Sequence, residues 1–448
     1  MANLSESQLG TVRLLVQAAS DRAIHDLEAA LAAGGDRHES MRAIQRMVAA
    51  EATDRAARDM VLAPIIPLCS PRDTPGGLRF PRQAMTRLWG GIAEQSPKVV
   101  QSIVLAIHRC SAESLPTADF DALCLDAAKG LRERSNPGYA AAADALDRSG
   151  PEAAAAFAAC LDLAPVVRAA LQKLPEWLGR LTEERAAAAR VAFHDATRES
   201  DDAGPVFLEI LYTHLPEPWT VLRLVSAVMH RPADRYVATS ELSGFGERLL
   251  DDIDQRLKLV ASLDADGGVA AGVAAGQSVR TAAQMISEFG DCLEMAPDGP
   301  WGSRLFRQKR TLAAAIESRL KACEGQVALA LPLQSTGFRK GARGQPRLQQ
   351  DPDVRQVERA RALLGFMHEI RTCAERLGFG SAWTKAYEGL DARLGTYVED
   401  LLEKLRNPEE AENYPRIRLY LDVAAELMGL AADDKAAQIV RRRMAAAA

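Results

Sequence analysis

The chain has 448 residues, of which 48% are hydrophobic and 26% charged, with a net charge of −5. This balance excludes a disordered chain, and the length exceeds one ordinary domain of about 100–200 residues. The acidic charge argues against wholesale coating of nucleic acid, which needs a broadly basic surface, and admits only local basic patches.

Helical periodicity begins at once. Ser5 and Gln8 have capping-box spacing, and Leu9, Val12, Leu15, Val16, Ile24, Leu27 and Leu31 follow on one stripe that Gly34-Gly35 stops. This predicts one long first helix. A second carries Met41, Ile44, Met47 and Val48 and runs to about Val61. Pro64, Pro67, Pro71 and Pro75, with Gly76-Gly77, then break the chain. Up to about Ser200, Pro81, Pro116, Pro137, Pro151, Pro165 and Pro175 read as the starts of successive helices. Proline is tolerated in a first helical turn and poorly inside.

Beyond Asp201-Asp202-Ala203-Gly204-Pro205, a short helix carries Phe207, Ile210, Leu211 and Leu215, and another starts at Pro216–Trp219. Leu249, Leu250, Ile253, Leu257 and Val260 share one face of a longer helix, and two more helices reach about Leu331. Pro332, Gly337, Gly341, Gly344 and Pro346 mark a linker whose basic residues are Arg339, Lys340, Arg343 and Arg347. Asp351-Pro352 pairs a capping acid with a proline suited to the first helical position. The helix it opens places Val354, Val357, Leu364, Met367, Ile370 and Leu377 on one side. Trp383, Tyr387, Leu390, Leu394, Val398, Leu401 and Leu405 then alternate three and four apart, and Ile417, Tyr420, Leu421, Ala424, Leu427 and Met428 mark a last helix.

The pattern predicts an all-α protein, either multi-domain helical bundles or an irregular α-solenoid, with a C-terminal three-helix bundle. The expected organisation is an N-terminal helical hairpin (1–67), a proline-punctuated helical region (81–200), a central helical domain (201–331), a basic Gly/Pro linker (332–351) and a C-terminal bundle (352–448). No strand signal stands out. The seven cysteines are scattered without a C-x-x-C pair and read as small reduced core residues. Met1–Gly10 lacks a basic start and an apolar stretch, and no run approaches the roughly 18–20 apolar residues of a membrane span. The expected location is cytoplasmic.

Catalytic signatures are weak. His194-Asp195 resembles the centre of the HD phosphohydrolase signature, whose cage needs a further His and Asp. The earlier His108 and the later His214, His230 and Asp251 do not fit that spacing, so the pair reads first as a solvated helix face. Asp251-Asp252-Ile253-Asp254 is similar to the acidic helix of isoprenoid synthases but is wrongly spaced, and reads as the polar face of an amphipathic helix. Gly268, Gly272 and Gly276 lack the lysine that a phosphate loop requires. They predict a loop running into a closely packed helix start, or else a glycine edge that lets a neighbouring backbone approach. No H-e-x-x-h pattern completes His368-Glu369, and no cofactor or metal is expected.

Two basic features remain. Arg304, Arg307 and Arg310 share a helical face with Lys309 beside them, and Phe338, Arg339, Lys340, Arg343 and Arg347 lie in the linker. They are the candidate partner-binding residues, able to dock phosphate groups or an acidic protein. The functional expectation is a non-enzymatic helical scaffold or regulator that binds another protein. The alternatives are a helical metal-dependent phosphohydrolase, or a binder of nucleic acid or anionic surfaces through the basic clusters.

Overall fold

The computed structural model describes residues 6–33, 39–69, 77–109, 117–179, 182–198, 200, 202–229, 232–334 and 344–447. These form twenty α-helices and one pair of two-residue strands, so the fold is all-α. Contacts divide the chain into two compact units, Met1–His230 and Arg231–Ala448. No single described helix is long and apolar enough to cross a membrane. The expected first helix is two, α1 (Glu6–Ala18) and α2 (Asp21–Ala33). The break falls where the Ser20 hydroxyl accepts from the Ala23 amide at 3.2 Å and caps α2. Ser5 and Gly34-Gly35 lie outside the described residues.

In the first unit, Val16 and Ile24 pack on Val48 of α3 (Glu39–Val61). Helices α4 (Arg82–Gln95), α5 (Pro97–His108), α6 (Thr117–Glu133), α7 (Pro137–Asp147) and α8 (Ala153–Asp162) follow. Helix α4 packs closely on α7, where Gly91 and Gly138 permit the approach, and Gly130 of α6 makes room for the Tyr139 ring. A Cβ on Gly91 would lie 2.6 Å from the Tyr139 ring, and one on Gly138 would lie 2.4 Å from the Gly91 nitrogen. Asn136 secures the crossing by capping α7 and donating to the Gly91 carbonyl at 2.9 Å. Then come α9 (Ala164–Leu178), α10 (Glu183–Thr197), α11 (Ala203–Thr213) and α12 (Val221–Val228). Pro175 starts no helix; it lies inside the last turn of α9, which the buried Trp177 holds in place. Pro116 lies outside the described residues.

Arginines close the helix ends of this unit. A helix leaves its last four carbonyls without partners, and a guanidinium both satisfies them and complements the negative end of the dipole. Arg55 donates to the carbonyls of Val16, Gln17 and Ala19 at the end of α1. Arg168 donates to Met60 and Val61 at the end of α3, and Arg223 to Leu178 at the end of α9. Asp21 gathers Arg55, Arg58 and Arg82 into one network. Many cations that look available in the sequence are therefore structural.

The second unit begins with a single turn, α13 (Asp234–Val237), followed by α14 (Ser243–Ala261), α15 (Gly268–Cys292) and α16 (Pro300–Ala330). Strands β1 (Leu333–Gln334) and β2 (Gln345–Pro346) pair antiparallel across the segment expected to be an open linker. Helices α17 (Val354–Ile370), α18 (Gly380–Arg406), α19 (Tyr414–Ala431) and α20 (Asp434–Ala447) complete it. Helix α17 packs on α15 more extensively than any other pair among the described residues, and also on α16. The helices on either side of 332–351 therefore share one core, whereas α11 and α12, placed by sequence in the central domain, belong to the first unit.

Glycines make the α15–α17 contact possible. A Cβ on Gly272 would lie 1.8 Å from the Ala362 carbonyl oxygen, and one on Gly276 would lie 2.4 Å from Glu369 Cβ. Gly272 and Gly276 lie within α15 and Gly268, at φ +63°, opens it, so the short turn Ala265–Gly267 runs into a closely packed helix start whose glycine edge lets α17 approach. Helix α17 starts at Val354 with Asp353 as its cap, two residues later than Asp351-Pro352 suggests. Leu377 lies beyond the end of α17, and Val354 is 75% exposed, so neither belongs to its buried stripe.

Candidate functional site

Helix α16 carries the first candidate cluster, and its own sequence decides which side chains reach solvent. Pro300 occupies the first turn, and the fully buried Asp234 caps the helix by accepting from the Gly302 amide at 3.2 Å. Trp301, Leu305, Gln308, Leu312, Ile316, Leu320, Cys323 and Val327 recur at three- and four-residue spacing and are buried. The opposite side presents Phe306, Arg307, Lys309 and Arg310, all exposed, with Phe306 at 60%.

The four cations in the first three turns of α16 divide into two kinds. Arg304 reaches across to α14, where it donates to Glu247 at 3.1 Å and to Asp251 and Asp254 at 2.5 Å each. Burial opposes the Arg304 charge, but these carboxylates outweigh it and hold its pKa above the ordinary value. The acidic run Asp251–Asp254 is thereby explained: Asp251 and Asp254 balance Arg304, and Asp252 pairs with Arg256. Arg307, Lys309 and Arg310 make no ion pair with any described residue. Their charge faces solvent beside an exposed aromatic ring.

The linker candidates do not join this strip among the described residues. The Arg347 amide donates to the Pro332 carbonyl at 3.0 Å, its side chain donates to Gln349 at 2.8 Å, and it lies near the Tyr420 hydroxyl on α19. Phe338, Arg339, Lys340 and Arg343 lie outside the described residues. Sequence reasoning passed over Phe306, although its place was recoverable: it follows the inward Leu305 by one residue and so turns about 100° away from the core.

No enzymatic constellation assembles among the described residues. His194 is exposed on α10, and Asp195 pairs with Arg198 one turn on. His214 Nε2 lies 2.8 Å from the Pro64 carbonyl, and Glu369 pairs with Arg280. His230 and the side chain of His108 lie outside the described residues. No group of three or more His, Cys, Asp or Glu is arranged to hold a metal among the described residues. Burial pushes the Cys69, Cys124, Cys160 and Cys323 thiols up to about 12, which makes them unreactive core residues.

A second concave feature lies on the other flank of α16. Ile286 and Gly290 of α15, Leu312 and Ile316 of α16, and Leu377 and Phe379 before α18 enclose a half-open cavity of roughly 260 Å3. Sequence reasoning missed it because its walls come from three segments far apart in the chain. Comparison with protein-family models, with curated proteins and with solved structures returns no match for this chain.

Proposed function

We propose that the chain is a cytoplasmic helical scaffold whose outer α16 face holds an acidic protein partner. The observation that carries this reading is the pairing of a 60% exposed Phe306 with Arg307, Lys309 and Arg310, none of them ion-paired with a described residue. Aromatic and arginine side chains are the usual anchors of protein interfaces, because they bury much area or make several charge-assisted hydrogen bonds at once. The net charge of −5 confines attraction for an anionic partner to this local strip, too small to coat a nucleic-acid strand. The cytoplasmic placement rests on deeply buried thiols with no disulfide among the described cysteines, which suits a reducing compartment.

The test is a pull-down from nuclease-treated native lysate with the wild type and a Phe306→Ala/Arg307→Glu/Arg310→Glu variant. The reading requires a stoichiometric protein that the wild type retains and the variant loses. Equal retention by both, or nucleic acid alone that washes off with salt, would refute it.

A further inference from the structure

The cavity beside α16 has the chemistry of a small-molecule site. Its walls are mostly apolar: Ala283, Ile286 and Gly290 from α15, Leu312, Ala313 and Ile316 from α16, and Leu377 and Phe379 from the segment after α17. The polar lining consists of Ser287, Lys309 and Arg376, with no carboxylate among the lining residues. The Ser287 hydroxyl donates to Asp291 at 3.1 Å. Lys309 and Arg376 are exposed at the rim, come from different elements, and make no ion pair with any described residue. Pockets that bind small ligands share this design, an apolar chamber with a few convergent polar groups.

We propose that this cavity binds a small amphiphilic anion, a medium-chain carboxylate whose tail fills the chamber and whose carboxylate meets Lys309 and Arg376. The size agrees: roughly 260 Å3 matches the liquid volume of about nine waters, which is the scale of a medium-length alkyl chain. The charge agrees too. Two cations at the rim of an apolar chamber with no carboxylate among its lining residues favour a monoanion over a neutral or cationic amphiphile. An arginine fork and a lysine ammonium together supply donors for both oxygens of one carboxylate. Lys309 belongs to both sites, and the two readings are told apart by Phe306, Arg307 and Arg310, which do not line the chamber.

The experiment is isothermal titration of the full chain with decanoate, decan-1-ol and decyltrimethylammonium below their aggregation concentrations. The expected result is saturable one-to-one binding of decanoate, with the alcohol and the cation at least tenfold weaker. Lys309→Gln/Arg376→Gln alters two exposed side chains and should weaken decanoate at least tenfold while leaving the thermal unfolding unchanged. Ala313→Phe should remove binding by filling the chamber. No saturable binding of decanoate, equal binding of decanol, or an unchanged affinity in the double variant would each overturn the proposal.

Discussion

Gly272→Ala is the sharpest test of how the second unit is held together. The new Cβ would fall 1.8 Å from the Ala362 carbonyl oxygen and 2.7 Å from its carbon. Ordinary carbon–oxygen contacts begin at about 3.3 Å, so α15 and α17 must separate locally by about 1.5 Å. The obstacle is backbone and cannot rotate aside, which puts the overpacking cost near the top of the usual range of about 1–3 kcal/mol. Alanine returns about 1 kcal/mol through its better helix propensity, leaving a net loss of about 2 kcal/mol. For a unit of this size, that lowers Tm by roughly 4–8 °C. Gly325→Ala is the matched control: it is exposed inside α16, well over one turn before its end, and its Cβ would meet nothing within 4 Å. There only the propensity gain remains, and Tm should rise by a few degrees. Differential scanning calorimetry of the two variants reads both shifts. A Gly272→Ala protein as stable as the wild type would refute the close α15–α17 approach.

Four further outcomes follow from the structure. Tyr397→Phe should leave stability unchanged or raise it by up to about 1 kcal/mol, because the buried Tyr397 hydroxyl has no hydrogen-bond partner among the described residues. Tyr420→Phe should instead cost about 1 kcal/mol in denaturant titration, since its hydroxyl donates to the Gln350 carbonyl at 3.1 Å. Asp234→Ala should cost about 1–2 kcal/mol by removing the α16 cap. The Asp21 carboxyl supplies a pH signature. Burial raises its pKa, but the hydrogen bond from Arg82 and the charge of Arg58 outweigh that and hold it below the ordinary value. A depressed folded pKa gives stability that is present above the unfolded value of about 3.9 and lost as pH falls toward the folded one. Asp21→Asn should therefore flatten the loss of first-unit stability below about pH 4, and an unchanged acid limb in urea titrations would contradict the network.

Local signals made most helices legible, and long-range packing accounts for what the sequence concealed. The stripe Leu390, Leu394, Val398, Leu401 and Leu405 recurs as the buried face of α18, because an apolar spacing of three and four needs no tertiary information. The place of Pro175 and the break at Ser20 are not legible locally, since a proline near a helix end and a serine within a continuous stripe each admit two outcomes. The fusion of the helices on both sides of 332–351 into one unit depends on which face of α15 meets α17. Gly272 and Gly276 hinted at that contact without naming its partner. The basic candidates divided for a similar reason. Arg304 and Arg307 are alike in sequence, and only the position of Glu247, Asp251 and Asp254 on α14 neutralises one and leaves the other exposed.

The measurement that bears most directly on the scaffold reading is the affinity of the captured partner for full-length protein, by titration at low and moderate salt. Wild type is compared with Arg307→Glu/Arg310→Glu and with Arg347→Glu as a remote control. The α16 account predicts at least a tenfold loss in the first variant, a smaller effect in the control, and weakening of the wild-type complex as salt screens the strip. Equal affinity in wild type and the α16 variant would place the partner elsewhere and contradict the account.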